Sequence, residues 1–97
     1  MAARITITPE ELRTASTNFA NKAGEVREIL EYLRSEVNRL ESTWDGAAQD
    51  QFFMTYEEMA KTLDQFPEVV YGISQHLSAV AQTLEETDQA LADSLKG

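Results

Sequence analysis

The sequence predicts an all-α fold: an antiparallel helix-turn-helix hairpin, two copies of which close into a four-helix-bundle homodimer. Three observations carry this reading. Apolar residues recur at alternating steps of three and four along two long stretches, the period of packed helices. The only evident break between the stretches is Trp44-Asp45-Gly46, near the middle of the 97 residues. Each stretch also carries apolar residues off its main seam, a surface that a soluble lone hairpin would leave wet. The whole chain, 1–97, reads as one helical-hairpin domain, and a two-helix unit of this size is marginal without a partner.

The first helix, about residues 8–41, announces its start. Thr8 suits the N-cap, Pro9 the first helical position, and Glu11 completes a capping box three residues on. Ile7 and Leu12 occupy the two positions of a hydrophobic staple. The seam then runs Leu12, Ala15, Phe19, Ala23, Val26, Leu30, Leu33, Val37 and Leu40, with Glu31/Arg34 and Glu36/Arg39 paired at i,i+3. The turn, about 42–46, sets the only Trp beside a Gly that is free to take positive φ, which suits a helix C-terminus that must reverse. Trp44 is expected to plug the end of the hairpin.

The second helix, about 47–93, repeats the pattern through Ala48, Phe52, Met59, Leu63, Phe66, Val70, Ile73, Leu77, Val80, Leu84, Leu91 and Leu95. Pro67 breaks the helical rules, because it has no amide hydrogen and clashes with the carbonyl four residues back. Either a kinked continuous helix or two helices broken near Asp64–Phe66 results, and the unbroken seam favours the kink. Ile29 and Tyr32 flank the first seam, and Phe53, Val69 and Tyr71 the second. Ile29, Phe53, Val69 and Tyr71 are therefore the expected dimer contacts.

Composition excludes several functions. There is no Cys, hence no disulfide framework and no thiolate metal site. The net charge is −9, and residues 44–97 hold only Lys61 and Lys96 against ten acids, so nucleic acid and anionic membranes are poor partners. No window approaches the roughly 20 apolar residues that span a bilayer, and no stable membrane insertion is expected. The octet Met1-Ala-Ala-Arg-Ile-Thr-Ile-Thr has no apolar run and does not read as a Sec-type signal peptide. His76 is the only His, and Ser74 and Ser78 lie two positions away on other faces of the helix. Glu57-Glu58 and Glu85-Glu86 are consecutive and do not converge, and Ile73 stands where a bundle metal site would need Glu. No catalytic, cofactor or metal site is expected, and the chain reads as a non-enzyme.

Unequal lengths give the clearest functional clue. Helices of about 33 and 47 residues span roughly 50 Å and 70 Å. With the turn centred on Trp44, Leu12 faces about Leu77, and everything past about residue 80 outruns its partner. The overhang still carries Leu84, Leu91 and Leu95 on one stripe with Asp88 inside it, as a helix that docks in a groove does.

These features together resemble the WXG-type, early-secretory-antigen-like family of type VII secretion substrates. Trp44-Asp45-Gly46 fills its turn motif. Leu84, Asp88, Leu91 and Leu95 fill in order the hydrophobic-x3-Asp-x2-hydrophobic-x3-hydrophobic pattern of its C-terminal export region, 84–97. Leu84 stands where mycobacterial-type members carry Tyr, which is similar to the Bacillus-like Gram-positive branch and its homodimers. The resemblance implies cytoplasmic synthesis, then secretion as a folded dimer without a cleaved signal peptide, driven by an FtsK/SpoIIIE-type ATPase that reads the tail. It also implies a role as substrate and as secretion helper or effector. An intracellular coiled-coil adaptor would use the same dimer and the same tail, and a third reading inserts the helices into membranes at low pH.

Overall fold

The computed structural model describes residues 7–96. Residues 1–6, on which the signal-peptide reading rests, and Gly97 at the end of the 84–97 tail lie outside them. Three helices form in order: α1 over Pro9–Glu41, α2 over Ala47–Leu63 and α3 over Phe66–Leu95. The molecule is a rod of 78 × 26 × 17 Å. α1 begins where the local signals place it, with the Glu11 N–H donating to the Thr8 hydroxyl at 3.1 Å. It ends at Ser42, whose hydroxyl donates back to the Arg39 carbonyl at 2.7 Å.

The second stretch is two helices, so the continuous kinked helix is corrected. Asp64 and Gln65 separate α2 from α3, and Pro67 opens the new helix. The cause is the missing amide hydrogen, which leaves the carbonyl of Leu63 without its helical donor. Both joint residues keep right-handed helical angles (φ −68°, ψ −19° and φ −80°, ψ −21°), so the apolar phase passes through the joint.

The helices pack along a line of small residues. The Ser16 hydroxyl donates to the Ser74 carbonyl and the Ser74 hydroxyl to the Ser16 carbonyl, each at 2.7 Å. Heptad steps from this pair set Pro9 against Ala81, Ala23 against Pro67, Leu30 against Ala60 and Val37 against Phe53. Ala23, Ala60, Pro67, Ser74 and Ala81 are buried. Side-chain size along this line grows from the open end to the turn. Helix separation follows the side chains at the contact, and α1 accordingly runs close to α3 but approaches α2 only locally.

This line corrects the expected seam. Phe52, Met59, Phe66, Ile73 and Val80, read as intrachain seam, form a strict heptad that remains exposed. Leu63, Val70, Leu77 and Leu84 lie between that row and the small residues, and all but Leu63 are half-buried. The opposite flank is polar. There Arg34 donates to Glu57 at 3.1 Å and stands 3.7 Å from Asp64, and Arg13 meets Glu85 at 2.7 Å. Arg34 therefore crosses to the second stretch instead of pairing with Glu31, whereas Glu36 and Arg39 pair within α1 at 3.0 Å.

Candidate assembly and recognition surfaces

At the turn, Gly46 takes φ +108° and ψ −179°, a region closed to other residues. It serves as the N-cap of α2, not as the C-terminal residue of α1. Its carbonyl accepts from the N–H groups of Gln49 at 3.1 Å and Asp50 at 3.3 Å. The Gln49 side chain bridges the turn by donating to the Glu41 carbonyl at 3.0 Å. Trp44 is half-buried, with its ring 5.5 Å from Phe52 and 6.3 Å from Phe53. Asp45 is exposed beside it. The three aromatics form one cluster that closes the wide end of the hairpin.

The expected dimer residues do not make a single surface. Phe53 is drawn into the turn cluster and is half-buried. Ile29, Val69 and Tyr71 are exposed, but Val69 and Tyr71 stand two positions apart, on opposite sides of α3. The continuous apolar surface is the flank described above, completed on α1 by Phe19, Val26, Leu33 and Leu40, which are exposed apart from half-buried Val26. Periodicity listed these residues as intrachain seam, whereas small Ala and Ser make the closer contact within the hairpin.

The tail is helical to Leu95. Leu84, Asp88, Leu91 and Leu95 fall in one narrow sector of α3 at steps of four, three and four. Leu84 is half-buried and adjoins Glu85, which Arg13 of α1 engages, so the pairing reaches Glu85 and the overhang starts later than residue 80. Asp88 is exposed, and Leu91 and Leu95 are 60% and 80% exposed. Hydrogen bonding to Arg13 holds the Glu85 carboxyl below its ordinary range. On the hairpin body, a shallow open groove beside α2 is floored by Phe53 and Met54 and rimmed by Glu41, Asp50, Glu57 and Glu58.

The sequence matches the WXG100 family, proteins of 100 residues with WXG, over residues 4–89. The chain belongs to that family. Its similarity to the protein YukE of Bacillus subtilis is 32% identity over 97 residues, covering both chains completely. The type VII secretion system extracellular protein A of Staphylococcus aureus is 26% identical over 91 residues, 94% of each chain. Among solved structures, the secreted protein EsxB of Bacillus anthracis superposes with a TM-score of 0.76 at 36% identity, covering 90% of this chain and 99% of that one. EsxA of Geobacillus thermodenitrificans gives 0.79 at 30% identity, covering 95% and 99%. These relatives fit the Bacillus-like branch. WXG100 proteins are not enzymes. The Ser74 hydroxyl is turned inward onto Ser16, and His76 is exposed. No helix among the described residues is long and apolar enough to cross a membrane.

Proposed function

We propose that this WXG100 protein is a secreted substrate of a type VII secretion system. In this reading it leaves the cell as a folded homodimer, and residues 84–97 are the segment an FtsK/SpoIIIE-type ATPase engages. The observation that carries the reading is the tail. Leu91 and Leu95 sit on one exposed stripe with Asp88 in a helix that has outrun α1, which fits an unoccupied docking face. The secreted and extracellular relatives support export. Two of them align over 94% and 99% of their own lengths. Trp44 and the exposed Asp45 at the turn are a second candidate contact, and a secretion-helper or effector role belongs to the same reading.

Dimerisation is supported by area. The chain exposes 7553 Å², against about 5,600 Å² for a compact monomer of its mass. The excess, roughly 1,950 Å² for one chain, is about twice the roughly 800 Å² that each partner gives to a standard interface, so there is surface to spare for a second copy. The apolar flank of Phe52, Met59, Phe66, Ile73 and Val80, with Phe19 and Leu33 of α1, is the surface to cover; its opposite flank carries the ion pairs.

Export settles the reading. The full chain should accumulate in culture medium in cells that have the ATPase and stay inside cells that lack it. Removal of 84–97 should leave a folded dimer that is retained. Burying one Leu in a groove is worth roughly 1.5–3 kcal/mol, so Leu91→Ala with Leu95→Ala should weaken docking by about 10²- to 10⁴-fold. Normal export of the truncated chain would refute the tail's role. Retention of the full chain in cells with an active ATPase would leave an intracellular adaptor.

A further inference from the structure

We infer that α2 is completed by the second copy: when the dimer separates, α2 loosens as a unit while α1 and α3 remain clasped. This rests on the homodimer proposed above and concerns how the two copies depend on each other.

The argument starts from the two ends of α2. It is bounded by Gly46 at positive φ and by the Asp64–Gln65 joint, so both attachments are places where helical hydrogen bonding stops. With 17 residues it is near the length at which an isolated helix is marginal in water. Its packing within the chain is thin. Ala60 is its one buried residue, while Phe52, Met54, Met59 and Leu63 are exposed. Its apolar ties within the chain are short, Ala60 beneath Leu30 and half-buried Phe53 with Trp44 at the turn, and the rest are polar and wet: Arg34 to Glu57, Gln49 to the Glu41 carbonyl, and Arg34 over the Tyr56 ring at 5.6 Å. Exposed ion pairs of this kind add little.

The first part of α3 is held differently. Two part-buried hydrogen bonds of 2.7 Å join Ser16 and Ser74, and Leu12, Ala23 and Ala81 are buried around them. These contacts lie within one chain and do not depend on a second copy. The occupant that finishes α2 is another copy of this chain. The exposed row on α2, Phe52 and Met59, continues without a phase shift into Phe66, Ile73 and Val80 of α3, the flank assigned to dimerisation. A partner seated on that flank therefore covers α2 as it covers α3, but only α2 lacks an alternative.

The test is hydrogen exchange on the full chain, read by segment at two concentrations. Light scattering confirms the dimer mass at one and the monomer mass at the other. In the monomer, amides of 50–63 should exchange at least about tenfold faster than in the dimer, while those of 70–81 change by less than about threefold. If dilution does not separate the dimer, Ile73→Asp on the exposed row supplies the monomer. Ser16→Ala with Ser74→Ala should bring 70–81 to the behaviour of 50–63 in the monomer. Equal acceleration of both segments in the unsubstituted chain, or protection of 50–63 in a proven monomer, overturns the inference. A chain that scatters as a monomer at every concentration removes the homodimer itself, and the scattering record tells that failure from the other.

Discussion

The hairpin has two halves built on one heptad line, and they differ in the size of the side chains at closest approach. At the open half, Ser16, Ala23, Ser74 and Ala81 let α1 and α3 come together, and the two serines fasten them. At the turn half, Leu30, Val37 and Phe53 stand on the same line, and α2 is held off α1. Small residues let the hairpin close on itself, and large ones hold its helices apart; the proposed second copy would cover what the large ones leave open. The same line, extended past α1, reaches Asp88 and Leu95, so tail and seam share a phase.

Substitutions that exchange the character of the halves should have the largest effects. Ala23→Leu inserts volume where exposure is 0% and should destabilise the chain by about 3 kcal/mol in urea melts. Ala60→Leu should cost less, because α2 can shift about its two joints. A larger loss at Ala60 than at Ala23 would reverse the comparison.

Trp44→Ala acts at the wide end. The ring is half-buried, so about 2 kcal/mol is expected, near half the 3–5 kcal/mol of a fully buried aromatic. Export that falls with stability unchanged would make Trp44 a recognition residue, and a parallel fall would make it structural. Ser16→Ala with Ser74→Ala removes two hydrogen bonds from the closed half and should lower stability by about 1–2 kcal/mol. Each single substitution leaves one bond and should cost roughly half as much.

Gly46→Ala should cost about 1 kcal/mol. The cost comes from backbone angles alone, since an added Cβ meets nothing within 4 Å. The smallest effect belongs to the Arg13–Glu85 pair, which is exposed. The Glu85 carboxyl has a folded value below its unfolded one, so the pair adds stability above about pH 4.3 and loses it as pH falls through the depressed value. Glu85→Gln should therefore differ from the unsubstituted chain at neutral pH and low salt, and match it in acid or at about 1 M salt. A difference that persists in acid would assign Glu85 a role other than the ion pair.

The sequence alone made several features legible because their causes are local. Thr8, Pro9 and Glu11 mark the start of α1 through bonds that span three residues. Trp44-Asp45-Gly46 marks the reversal, although Gly46 proves to cap α2; a Gly that needs positive φ reads the same from either side of a turn. The stripe through Leu84, Asp88, Leu91 and Leu95 follows from spacing on a single helix. The break at Asp64–Gln65 was half legible, since Pro67 signals a lost hydrogen bond but not whether the helix ends there.

Only the tertiary structure decided which apolar row packs inside the hairpin and which stays exposed. Two adjacent heptad rows, Phe52–Val80 and Ala60–Ala81, both satisfy a helical period, and hydrophobicity favours the first as the intrachain seam. Packing chooses the second, because Ala, Ser and Pro allow an approach that lets Ser16 and Ser74 bond backbone across the interface. The large row is then left exposed. Arg34 likewise had a neighbour in sequence at Glu31, yet it reaches Glu57, because the antiparallel register brings a second carboxylate to the same flank. Periodicity fixes the phase of a helix about its own axis, while the partner of each face depends on how closely two backbones can approach.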